Sequence, residues 1–188
     1  MTQKIKLFII SLFFFLGCNK AAITNNENQL YRIKISGKWG FINYNGDIKI
    51  PCIYKNETDF INGIALVDDG YESYYINTEQ KKVQGLKELK YSSDVYKNYI
   101  TDNIEPDYIP KGYMLSCDNS YIGEKMFTVS KKDNDELVGI MNKTGDIIVE
   151  PKFYDIGIFK NGMAPFKYGH NGIDGYIRKD GMIFDYSK

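Results

Sequence analysis

The thirty residues from Lys38 to Val67, KWGFINYNGDIKIPCIYKNETDFINGIALV, recur ninety-nine positions later as LVGIMNKTGDIIVEPKFYDIGIFKNGMAPF, Leu137 to Phe166. Gly40, Asn43, Gly46, Asp47, Pro51, Phe60, Gly63 and Ala65 find counterparts in Gly139, Asn142, Gly145, Asp146, Pro151, Phe159, Gly162 and Ala164, on an alignment that inserts one residue before Pro151. A chain that repeats itself over such a length folds as stacked copies of one supersecondary unit, each burying the open face of its neighbour. With 188 residues, it can bury one core or two small ones.

Each copy carries the grammar of a β-hairpin. An apolar stretch with a glycine (Trp39 to Asn43) is followed by a polar turn ending in glycine and by aliphatics (Ile48 to Ile50). Asn45-Gly46 is a strong hairpin signal, because both residues tolerate positive φ. A glycine at a fixed strand position leaves room for a neighbouring backbone or an aromatic ring. Pro51 and Pro151 are expected to stop ladder pairing and begin an irregular segment. Sixteen Tyr and eleven Phe add to the strand propensity. The fold class expected is all-β, mainly antiparallel hairpin repeats stacked as a short β-solenoid or a propeller-like arrangement, with at most one or two short helices around Leu86 to Ile100. Trp39 is expected to be largely buried against the neighbouring unit.

The run Gly37-Lys38-Trp39-Gly40-Phe41-Ile42-Asn43 through Val67 resembles the WG repeat, a bacterial β-rich repeat with the consensus G-K-W-G-Y-I-N-x-x-G-x-x-V-I-P-x-x-Y-D-x-x-x-x-F-x-x-G-x-A-x-V. The later copy matches apart from the tryptophan, replaced by Val138. The copies run over about 32–67, 69–83 (degenerate, with Tyr74-Tyr75-Ile76-Asn77 lacking the glycine), 137–166 and 171–184 (a truncated hairpin). An insertion or eroded repeat occupies about 84–130. The resemblance implies a repeated β architecture and frequent envelope association. It implies no shared enzymatic activity and supplies no catalytic residues.

The first seventeen residues read as an export signal: Lys4 and Lys6, then an apolar run from Leu7 to Leu16, too short to span a bilayer. Gly17-Cys18 resembles the lipobox of bacterial lipoproteins, with Cys18 as the residue lipidated, although Phe15 departs from the usual leucine. An ordinary secretory signal is the alternative. Residues 18–29 then serve as anchor and flexible tether to a domain over 30–188. The expected location is the cell envelope, on a membrane through the N-terminal lipid.

Charge excludes an electrostatic affinity for nucleic acid: 24 basic and 24 acidic side chains balance, and loss of the signal leaves a net −2. His170, the sole histidine, lies in a glycine-rich loop without the companions that a metal site or a nucleophile requires. Asp68-Asp69-Gly70, Asp118-Asn119 and Asp133-Asn134-Asp135-Glu136 lack the spacing of a calcium loop and read as solvated turns. No catalytic residue, metal ligand or cofactor is therefore expected. In an exported chain Cys52 and Cys117 are a candidate disulfide, with two separate thiols as the alternative.

Tyrosine presents a flat apolar body with a polar tip. The tyrosines crowding Gly70 to Tyr121, among them Tyr74, Tyr91, Tyr96 and Tyr108, mark the expected binding surface, although most tyrosines serve as sheet core. The function expected is a non-enzymatic lipoprotein that binds a protein, peptide or glycan through its repeats. A membrane-held immunity protein or toxin inhibitor fits the same features. A hydrolase using an unrecognised acidic pair is the enzymatic alternative.

Overall fold

A computed structural model of the protein describes residues 28–84, 104–116, 120–170 and 172–187. The signal, Cys18 and the helices expected around Leu86 to Ile100 lie outside them.

Among the described residues fourteen strands, all antiparallel, form four small sheets in chain order. The first contains β1 (Tyr31–Ile35), β2 (Lys38–Ile42) and β3 (Ile48–Tyr54). The second contains β4 (Asn56–Glu57), β5 (Ile64–Asp68) and β6 (Ser73–Asn77). The third runs β7 (Tyr113–Leu115), β8 (Met126–Lys131), β9 (Asn134–Asn142), β10 (Ile147–Phe153). The fourth runs β11 (Asp155–Ile156), β12 (Met163–Lys167), β13 (Gly175–Arg178), β14 (Ile183–Asp185). In each sheet β2, β6, β9 or β13 lies beside the strand that precedes it in the chain; β6 is the edge of its sheet, met on its other side only by the single bridge Ile76↔Lys82.

The strand glycine is required because the return strand bulges across it. Between the pairs Trp39↔Tyr54 and Phe41↔Ile50, β3 spends four residues against two on β2, and β10 does the same between Val138↔Phe153 and Ile140↔Val149. A Cβ on Gly40 would lie 2.5 Å from the Ile50 carbonyl oxygen; one on Gly139 would lie 2.3 Å from that of Val149. The bulge corrects two expectations. β3 and β10 continue through Pro51 and Pro151 instead of ending there, since a proline inside a bulge breaks no ladder bond. The two strands also correspond without any insertion, so Pro151 stands opposite Cys52 in register and the proline has moved by one place within the bulge.

A shared turn closes the hairpins. Asn43 Oδ1 accepts from the amides of Asn45 and Asp47, and Asn142 Oδ1 from that of Asp146, with Gly46 and Gly145 at positive φ. The degenerate copy builds the same turn. Asn77 Oδ1 accepts from the amides of Glu79 and Lys81, and Gln80 takes the positive φ of 63°.

Three apolar cores join the sheets. Phe41, Ile50, Tyr54, Phe60, Ala65, Val67 and Ile76 close the first sheet on the second. At equivalent positions, Ile140, Val149, Phe153, Phe159, Ala164, Phe166 and Ile177 close the third on the fourth. The other face of the first sheet, Tyr31, Ile33 and Ile42, packs on Met163 and Tyr176 of the fourth. The order in space is therefore second, first, fourth, third. Trp39 is half-buried, not buried as expected. It packs at the margin of the core between the first and second sheets, with the Lys34 ammonium 5.1 Å and the Arg32 guanidinium carbon 5.9 Å from its ring centroid.

Candidate functional site

Where the first and fourth sheets meet, the packing leaves a cleft of about 330 Å³. One wall is the start of β1, Leu30 to Arg32; the other is Gly157, Ile158, Met163, Pro165, Ile173 and Tyr176, with Asp59 and Lys160 at the margin. Its volume lies in the range of roughly 300–1,000 Å³ typical of ligand sites. The floor is apolar and aromatic, with the Tyr31 and Tyr176 rings 5.6 Å apart at an interplanar angle of 58°.

Charge at the margin is internally compensated. Arg32 Nε lies 2.9 Å from Asp59 Oδ1, Arg32 Nη1 lies 3.3 Å from Glu57 Oε1, and Lys160 Nζ lies 3.5 Å from Asp59 Oδ2. The Glu57 carboxyl is almost fully buried; this burial raises its pKa, with Arg32 pulling it back. Two guanidinium or ammonium groups face two carboxylates, so the site has no strong preference for a charged ligand.

The two phenols differ in their partners. The Tyr31 hydroxyl donates to the Asn161 carbonyl at 2.7 Å. Tyr176, 6% exposed, has its pKa driven far up by burial, and its hydroxyl makes no hydrogen bond among the described residues. The Tyr176 side chain lines the cleft, so its hydroxyl is available to a ligand group there. The cleft can thus seat an uncharged apolar group carrying a hydrogen-bonding atom.

The tyrosines expected to bind are not brought together among the described residues. Tyr74 packs on the core between the first and second sheets, edge-on to Tyr54, with the Lys82 ammonium 3.8 Å from its ring centroid. Tyr108 is 60% exposed and lies against the turn at Gly145, whose Cβ would come within 2.9 Å of its ring. Tyr91 and Tyr96 lie outside the described residues, as does Cys117 and with it the bridge to Cys52. Cys52 is half-buried on β3, its Sγ 3.9 Å from the Ile33 carbonyl oxygen, and burial pushes the thiol pKa up.

Of the remaining candidates for chemistry, Asp118-Asn119 lies outside the described residues, and Asp68-Asp69 and His170 make local contacts. Asp69 Oδ1 accepts from the amides of Tyr71 and Glu72, and Asp68 Oδ1 from that of Gly70, which makes this acidic pair a turn cap. The His170 ring stands edge-on to Tyr154, 4.5 Å between centroids. Among the described residues no three His, Cys, Asp or Glu side chains are grouped to hold a metal ion.

Sequence reasoning missed the cleft because none of Leu30, Arg32, Ile173 and Tyr176 belongs to the conspicuous turn and glycine motifs. The one usable signal was the aromatic in β13, Tyr176, beside the strand glycine Gly175.

Sheets of one antiparallel scheme, sharing core positions and a bulge over a strand glycine, define a β-repeat protein. Residues 39–70 and 139–169 match the family model described as the WG containing repeat. The chain is a WG-repeat protein. No curated protein and no solved structure matches it.

Proposed function

We propose that the protein is an exported lipoprotein of the cell envelope, anchored through an acylated Cys18, that acts by binding its ligand in the cleft between the first and fourth sheets and performs no catalysis. The observation that carries this is the cleft itself, about 330 Å³ with a mainly apolar lining and the Tyr31 and Tyr176 rings at its floor. The carboxylates nearest it support binding over hydrolysis, because Glu57 and Asp59 are tied to Arg32 and Lys160 and are not poised over a substrate. The anchor rests on the Gly17-Cys18 pair after the apolar run.

Two experiments test the parts separately. Small apolar fragments, followed by methyl NMR, should shift Met163, and Ile173→Asp should abolish the shift. Shifts confined to Gly70–Tyr121 would move the binding surface back to the tyrosine-rich stretch. Fatty-acid labelling of the wild type and of Cys18→Ser should mark only the former. Equal labelling, or none, removes the anchor.

A further inference from the structure

Among the described residues, three of the four sheets carry a strand that the first sheet lacks. On the far side of the strand preceding β6, β9 and β13 lie β4 against β5, β7 against β8 and β11 against β12, all antiparallel. β1 occupies the same place in the first sheet and, among the described residues, has β2 on one side only. The turn at Ser36 and Gly37, with φ of 50° and 77°, makes Ile35 and Lys38 a hydrogen-bonded pair. Tyr31, Ile33 and Ile35 therefore direct their backbone groups to β2, and the alternate residue Lys34 directs its amide and carbonyl to the open side. In the third sheet the equivalent residue is Ser130, paired with Met114 of β7. The open edge leads into the cleft, since four consecutive residues, Gln29 to Arg32, line it, as happens when a cleft follows the edge of a strand.

We propose that this edge accepts an extended segment of a partner protein, added antiparallel to β1 as the missing strand, with an apolar side chain seated among Met163, Ile173 and Tyr176. The proposal rests on the cleft being the binding site and names what enters it. Strand addition suits a margin whose charges are mutually compensated, because affinity comes from main-chain hydrogen bonds and specificity from a pocket for alternate side chains. Lys34 and Lys38, exposed at the other end of the edge, favour an acidic residue in the incoming segment. The chain's own residues 19–27 precede β1 as β4, β7 and β11 precede their partners. They offer only Ile23 as a bulky apolar side chain, which favours an occupant from outside.

The probe is a phage library of random peptides of about twelve residues, panned on the full chain in detergent. Selected peptides should alternate apolar and polar residues and include an acid. Lys34→Pro removes an outward amide without breaking a bond to β2, and should weaken a selected peptide about tenfold or more. Methylation of the peptide's alternate amide nitrogens, which leaves the protein unaltered, should weaken it equally. A peptide indifferent to both changes overturns strand addition. If Ile173→Asp still abolishes its binding, the cleft remains the site; if that variant also binds normally, the cleft assignment falls too. Failure to select any peptide overturns the proposal. So does binding that appears only after deletion of residues 19–27, which would name the chain's own segment as the occupant.

Discussion

The two long copies fill equivalent cores with different side chains. In the first, Phe41 stands against Phe60 with ring centroids 4.7 Å apart, and Val67 completes the layer. In the second, Ile140 replaces the phenylalanine, Phe166 replaces the valine, and the close ring pair becomes Phe153 with Phe166 at 4.4 Å. Bulk lost at one position returns at another, so the core constrains total volume and leaves individual identities open. The bulge allows no such trade. Gly40 and Gly139 are both hemmed in by the backbone of the return strand, which cannot give way as a side chain does. The residue beside the glycine is free to change, from a half-buried Trp39 to Val138.

The sharpest way to break this comparison is at the glycines. Gly40→Ala and Gly139→Ala should each cost about 3 kcal/mol in chemical denaturation, at the upper end of overpacking penalties. Gly63→Ala, at a φ of 78° with nothing within 4 Å of its Cβ, should cost only about 1 kcal/mol from the backbone. Equal losses at all three would mean that the bulge is not what demands glycine. Trp39→Val, which imports the residue of the second copy, should stay near 1 kcal/mol because the ring is only half-buried.

At the turns the copies are expected to respond alike. Asn43→Ala and Asn142→Ala each remove the acceptor that holds the turn amides, and a loss of about 1–2 kcal/mol should appear in both. The degenerate copy should respond in the opposite sense. Gln80→Gly relieves a side chain held at positive φ and should raise stability by up to about 1 kcal/mol. The smallest effect belongs to Ser130, whose buried Oγ has no hydrogen-bond partner among the described residues. Ser130→Ala should be neutral or stabilising by less than about 1 kcal/mol, and a clear loss would reveal a partner for that hydroxyl.

Hairpin position and type were legible in the sequence because glycine, asparagine and aspartate each do a local job at a fixed place. Trp39 to Ile50 and Val138 to Val149 lie within the strands found, and Asp174 to Phe184 overlaps the last hairpin. The shift of proline within the bulge misled the alignment, since a bulge tolerates proline at either of two places and residue matching reads that freedom as an insertion. Tyr74-Tyr75-Ile76-Asn77 was legible as a strand, but its turn was hidden because Gln80 adopts a conformation usually reserved for glycine. The cleft was not legible. Arg32, Asp59 and Tyr176 come from three different sheets or their connections, and their meeting depends on how the first sheet docks on the fourth.

The central claim is that, among the described residues, the first sheet alone lacks the strand that β4, β7 and β11 supply to the other three. Amide hydrogen exchange at Lys34 and Ser130 compares the same position of the same strand with the neighbour absent and present. Ser130, facing β7, should exchange slowly, while Lys34, facing the open edge, should exchange at close to the rate of an unprotected amide. Equal protection at the two amides would contradict the account, because it would mean that the edge of β1 is already covered.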